Sequence, residues 1–241
     1  MLFLAARLII RQTDECNPHL QIAITKLASL LPQPLAIQLM QSVDFIRQKT
    51  VKPGEVNVFE QAAIAWGTQR RIRIIYHSLR GNREKEWVVE PYFIEMTGVG
   101  YSTYIIGHAE SADRVGMTTF KLSRIKEIEL LEENFEIPPE LNLEKLLGSS
   151  WGIIWGEGTE VKLRFSPAVS RRVKESVWHP SQVIEDLPDG GCLWTATVGN
   201  TLEMTPWIRG WGPDAEVLEP ESLRIEFVEY ARQLHHTYCE G

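Results

Sequence analysis

The sequence has 241 residues, a formal net charge of −7 and 44% hydrophobic residues. That length suits about two domains of roughly 100–200 residues each, with apolar content enough for real cores. The acidic balance argues against a basic coat for duplex DNA, and three widely spaced cysteines, Cys16, Cys192 and Cys239, argue against a disulfide framework and fit a reducing cytoplasm.

The first third predicts helices. Leu2–Gln12 is apolar nearly all round, and a helix of that kind asks for burial on several sides, which implies a partner surface. It is no signal peptide: Arg7 interrupts it, no basic leader precedes it, and Arg11 and Asp14 follow. No stretch approaches the roughly 20 apolar residues that cross a bilayer. Asn17-Pro18 is a helix start, with Asn as N-cap and Pro in the first turn. Ile24, Leu27, Leu30 and Leu31 continue it at helical spacing. Pro32 and Pro34 break and restart the chain, Leu35, Leu39, Val43 and Ile46 mark a third helix, and Val51–Gly54 is read as a turn. Val58, Ala62 and Trp66 mark a fourth helix ending near Gly67.

At Arg70 the period changes to the alternation of strands. The expected strands are Arg71–Tyr76, Trp87–Ile94, Thr103–His108, Thr118–Leu122 and Ile125–Leu131. Turns are expected at Arg80-Gly81-Asn82, Gly98-Val99-Gly100 and Ser111-Ala112-Asp113. Short strands at such spacing predict a small barrel or sandwich. Ile137–Gly158 reads as a linker. Beyond it the sequence predicts strand Val161–Phe165, helix Pro167–Val177, strand Gln182–Leu187, a turn at Asp189-Gly190-Gly191 and strand Cys192–Val198. Helix Leu202–Gly210, strand Glu216–Leu218 and helix Glu221–Tyr238 complete a ferredoxin-like succession.

No nucleophile elbow, P-loop, HExxH or complete dinucleotide fingerprint is present, and no general base stands beside a nucleophile. An enzymatic centre is therefore not expected, nor a cofactor. His235 and Cys239 share a helix face, but two ligands do not make a metal site, so no metal is expected. His179, before Pro180, is read as a packing or capping residue.

The informative chemistry lies in the middle. Between Arg70 and Lys126, ten Arg and Lys stand against six Asp and Glu. Alternation puts Ser102, Tyr104, Ile106 and His108 on one face of a strand and Thr103 and Ile105 on the other. Tyr76, His77, Ser78 and Arg80 close the first strand, and Arg114, Lys121 and Arg124 lie on later strands or their ends. Flat rings and cations of this kind can hold a single-stranded oligonucleotide or a nucleotide-like anion. Spacing alone favours the plainer alternative, the solvated residues of an antiparallel sheet.

Tyr76, Val89-Glu90-Pro91-Tyr92, Thr103-Tyr104-Ile105-Ile106-Gly107 and Thr119-Phe120-Lys121-Leu122-Ser123-Arg124-Ile125 together resemble the WYL domain. Of the triplet that names the family only Tyr104 is kept; Thr103 stands in the Trp position and Ile105 in the Leu position. The C-terminal runs Val161–Pro167, Trp178–Gln182, Asp189–Gly191, Ile208–Gly212 and Ala215–Pro220 resemble the WCX extension found after many WYL domains. Phe3–Arg7 and Asn17–His19 resemble the helical segment before WYL. The resemblance implies an α+β protein: a helical dimerisation segment over 1–68, an Sm-like or SH3-like barrel over 69–136, a linker over 137–158 and a ferredoxin-like domain over 159–241. It implies the effector part of a bacterial transcription regulator, cytoplasmic and homodimeric. Its ligand would be a single-stranded nucleic acid or a nucleotide-like anion, held by Tyr76, His77, Ser78, Arg80, Tyr104, His108, Arg114, Lys121 and Arg124. Such regulators usually begin with a winged helix-turn-helix, which this sequence does not show, so duplex DNA is expected as a partner only where that domain is supplied. The alternative is a protein-interaction subunit that docks another regulator without a small ligand.

Overall fold

The computed structural model describes residues 1–11, 18–47, 53–78, 82–97 and 102–240. The chain divides into two compact units, Met1–Ile137 and Pro138–Gly241.

The N-terminal unit starts with α1 (Leu2–Arg11), α2 (Pro18–Ala28) and α3 (Gln33–Arg47). Each buries a pair of residues four apart, Ala6 with Ile10, Ile24 with Ala28 and Leu39 with Val43, and these pairs form one small core. Arg7 reaches across it to bond the Ser42 hydroxyl. Among the described residues only one face of α1 is covered: Leu4 and Leu8 remain 61% and 57% exposed. The capping residue Asn17 and the glycine turn at 98–100 lie outside the described residues.

Helix α4 (Pro53–Thr68) begins inside the stretch read as a turn and lays Val58, Ala62 and Ala65 on a five-stranded antiparallel sheet. The Trp66 indole N–H donates to the carbonyl of Tyr92 at 2.8 Å, fixing the helix on the sheet. The strands are β1 (Arg70–Ser78), β2 (Arg83–Met96), β3 (Thr103–Ser111), β4 (Arg114–Lys121) and β5 (Ile125–Asn134), in the order β4-β3-β2-β1-β5. Alternation sends Ile72 and Ile74, Trp87 and Val89, Ile105 and Ala109, and Phe120 into a shared core. Gly107 is required where β2 and β3 cross a bulge, because a Cβ there would stand 1.9 Å from the carbonyl oxygen of Glu90.

The sheet curls strongly. Strands β1 and β4 are three places apart, about 14 Å in a flat sheet. Yet the Lys121 backbone N–H on β4 donates to the Tyr76 hydroxyl on β1 at 3.3 Å, and the rings of Tyr76 and Phe120 meet edge-on at 5.1 Å. Among the described residues, however, no ladder joins the end strands β4 and β5. The barrel expected from sequence is thus, by its hydrogen bonding, an open curled sheet: β5 finds its partner in β1 and leaves β4 as an edge.

The C-terminal unit contains α5 (Leu143–Leu147), β6 (Thr159–Phe165), α6 (Pro167–Lys174), β7 (Val183–Asp186), β8 (Cys192–Val198), α7 (Thr205–Arg209), β9 (Ala215–Glu219) and α8 (Glu221–His235). Its four strands are antiparallel in the order β7-β8-β6-β9. Val161, Leu163 and Phe165 face Ala196, Trp194 and Cys192 across β6 and β8, all six buried. The 137–158 stretch is more than a connector. It carries α5, capped by the Asn142 side chain, and packs Trp151 against the C-terminal core.

Candidate functional site

The two units differ in what their polar groups face. In the C-terminal unit the aromatic rings turn inward: Trp207 packs against Trp151, Phe165, Trp178, Trp194 and Trp211 at centroid distances of 4.7–6.1 Å. His179, read as a packing residue, is 2% exposed and stacks on Trp151. Its Nδ1 accepts the Ser181 backbone N–H at 3.2 Å, which leaves the ring hydrogen on Nε2. Burial pushes this imidazole below its ordinary value, and the Ser149 and Ser150 backbone pulls it part of the way back.

The sheet of the N-terminal unit is different. Arg71, Arg73 and Lys85 have carboxylate partners. Among the described residues Arg83, Arg114, Lys121, Arg124 and Lys126 have none within 4.0 Å. Arg114 opens β4, Lys121 closes it, and Arg124 ends the 3-10 turn Leu122–Arg124 that leads into β5. Arg124 directly precedes Ile125, the β5 residue paired with Tyr76.

Tyr76 meets the Lys121 end of β4, but not as an open stacking platform. Its ring belongs to the margin of the core, edge-on to Phe120, which in turn meets Trp87 edge-on at 5.3 Å. Its hydroxyl accepts the Lys121 N–H, so its own hydrogen is left to donate. Tyr76 is therefore suited to binding an anionic oxygen rather than stacking a base.

The nine residues expected from sequence do not all share a face. Tyr76 and Ser78 alternate onto the core side of β1, and Arg114 belongs to the same side of β4 by its pairing with Ser111. Tyr104, His108 and the Lys121 side chain alternate onto the opposite side, Tyr104 being directly paired with Lys121. His77 is on that side of β1, where its Nε2 lies 2.8 Å from the Asn82 Oδ1 and closes the hairpin end. Arg80 lies outside the described residues. His108 has a carboxylate for company: its Nδ1 is 3.9 Å from Glu90 Oε2. Glu90 also pairs with Arg71 and accepts the Tyr92 hydroxyl at 2.8 Å. Burial, with that bond, pushes the Tyr92 phenol up to about 12.

Sequence reading missed Lys85. It is Tyr76's direct partner across β1 and β2, and it pairs with Asp113 in the β3–β4 turn. The available signal was opposite charge at two neighbouring hairpin ends. Among the described residues no group of three or more His, Cys, Asp or Glu is placed to hold a metal, and no helix is long and apolar enough to cross a membrane.

The family model of the WYL domain matches residues 57–130, and that of the WCX domain matches residues 157–234. Protein PafC from two strains of Mycobacterium tuberculosis is 28% identical over 156 residues, which are 64% of this chain and 46% of the relative. The match thus spans about half the length of these curated relatives. Among solved structures, one of Proteasome accessory factor B/C (PafBC) of Arthrobacter aurescens aligns over 91% of this chain and 35% of its own, with 18% identity and a TM-score of 0.39. A CRISPR Cas-related protein aligns over 88% of this chain and 61% of its own, with 13% identity and a TM-score of 0.52, a likeness of fold.

Proposed function

Because this chain is a WYL-domain protein with a WCX domain behind it, we propose that it is the ligand-sensing effector portion of a bacterial transcription regulator, with no catalytic role. In this reading the N-terminal sheet is the Sm-like element, the C-terminal unit is ferredoxin-like, and the chain works in the cytoplasm as a homodimer. The ligand is a single-stranded nucleic acid or a nucleotide-like anion.

The observation that carries this reading is that several cations of the N-terminal sheet lack a carboxylate partner among the described residues, while the Tyr76 hydroxyl keeps a hydrogen to donate. Among the described residues Arg83, Arg114, Lys121 and Arg124 have no carboxylate within 4.0 Å; Arg83 and Arg114 share the face of Tyr76, and Lys121 lies on the opposite one. An anion supplies what these groups lack, and charge-assisted bonds to Arg are the stronger kind. Ser78, and Arg80 beyond it in sequence, extend the donor set. Because β4 is an edge, a single strand can pass over it and meet Tyr104, His108 and His77 on the other side. There the rings offer stacking surface worth about 1–3 kcal/mol per base.

Titration of the full chain with labelled short single-stranded DNA or RNA should give micromolar or tighter binding that weakens with salt. Arg124→Ala and Tyr104→Ala should each remove much of it. Unchanged affinity in both variants would sink the site assignment.

A second reading rests on α1. Its exposed Leu4 and Leu8 lie one turn apart and form an apolar stripe suited to docking another regulator without a small ligand. On that reading Leu4→Glu with Leu8→Glu abolishes a protein complex, while oligonucleotides bind neither the variant nor the parent.

A further inference from the structure

Lys85 is set apart from the other cations of the sheet by what surrounds it. Paired with Tyr76 across β1 and β2, it shares that residue's face. Its ammonium lies 4.6 Å from the Trp87 ring centroid, a cation–π contact, and forms an ion pair with Asp113. Asp113 sits in the tight turn closed by Ser111 and Arg114, with the Ser111 hydroxyl 3.1 Å from its Oδ1. Trp87 meets Phe120, and Phe120 meets Tyr76, so an unbroken series of ring contacts runs from the Lys85 ammonium to the Tyr76 ring. The two partners differ in freedom: the Lys85 side chain is 32% exposed, that of Asp113 75%. The ammonium is seated on a buried indole, while the carboxylate can return to water at little cost.

We infer that Lys85 is a further ligand-binding cation and that Asp113 is its resident competitor. A phosphate of the bound single strand takes over the Lys85 ammonium, and the Asp113 carboxylate leaves to solvent. One carboxylate is exchanged for one ligand oxygen, with no covalent change. The exchange also cuts the tie between the β1–β2 hairpin and the β3–β4 turn, so occupancy is transmitted to that turn. This inference rests on the ligand-sensing reading and adds to it a residue, a competitor and a moving part.

The test is anisotropy titration of the full chain with fluorescein-labelled oligothymidylate, using D113N, K85Q, the double variant, and E110Q as a matched loss of one exposed carboxylate. Freeing Lys85 should tighten binding in D113N by up to about fivefold, the scale of one exposed ion pair. K85Q should weaken binding, and D113N should add nothing in the K85Q background. E110Q should stay within about twofold of the parent. Equal tightening by D113N with and without Lys85 would make the effect one of net charge and overturn the inference, as would parental binding with no response to D113N. Absence of binding by both the parent and D113N would instead overturn the ligand-sensing reading beneath it.

Discussion

In the C-terminal unit the cations are engaged. Lys162 lies between Glu160 and Glu219, Arg164 meets Asp189, Lys174 meets Asp186, Arg209 meets Glu226 and Arg224 meets Glu216. Arg172 sits over the Trp211 ring. Lys145 alone of that unit's described Arg and Lys has no such partner. Among the described residues of the N-terminal sheet, Arg83, Arg114, Lys121, Arg124 and Lys126 have no carboxylate within 4.0 Å. Exposed pairs add only about 0–1 kcal/mol each to stability, so the difference matters less for folding than for what each surface attracts. In one unit nearly every described cation is engaged; in the other several positive charges are available. The acidic total of the chain hides this, because the balancing carboxylates are distributed elsewhere.

The largest expected effects test whether each unit's interior is as packed as its surface is distinct. Gly107→Ala drives a Cβ into the Glu90 carbonyl and should cost about 3 kcal/mol or more, read as loss of the sheet's cooperative unfolding transition in denaturant. Trp194→Ala empties a fully buried site and should cost about 3–5 kcal/mol in the C-terminal unit. Tolerance of either change would show the corresponding core to be misplaced.

A smaller effect sharpens the contrast at the site. Tyr76→Phe keeps the ring contact with Phe120 but removes the acceptor for the Lys121 N–H. It should cost about 1 kcal/mol of stability and weaken anion binding. Full retention of binding would remove Tyr76 from the donor set.

The smallest expected effect is a pH dependence confined to the C-terminal unit. The folded state holds His179 below its ordinary value of 6.5, so the unfolded chain binds its proton more readily. This contribution to stability is complete above about pH 6.5 and is lost as pH falls below it. Thermal melts from pH 7.5 to 5.0 should show the decline, and His179→Gln should flatten it; a decline unchanged by that variant would assign it to other groups.

Much of the fold was legible because periodicity is local. Alternation from Arg71 to Tyr76 marked β1, and the boundaries of β8 matched the Cys192–Val198 run. Strand β2 began earlier than expected because Arg83, Glu84, Lys85 and Glu86 pair on the ladder without apolar alternation to announce them. Helix α5 is a single capped turn, too short for a repeating pattern. The site was only half legible. Residue types singled out candidate cations and rings, but alternation alone could not say that the curl carries the Lys121 backbone to Tyr76, nor that His108 lies beside Glu90 on the opposite side. The Lys85–Asp113 pair joins hairpin ends 28 residues apart, a relation that only the folded sheet creates.

The most direct test of the uncompensated sheet is the salt dependence of oligonucleotide affinity. Plots of log K against log salt should fall linearly for the parent chain. Lys121→Ala and Arg124→Ala should each flatten the slope by about 0.7, the value for one phosphate contact on a single strand, while Lys145→Ala in the C-terminal unit should leave it unchanged. Identical slopes for the parent and the two sheet variants, or flattening by Lys145→Ala alone, would contradict the assignment of anion binding to the N-terminal sheet.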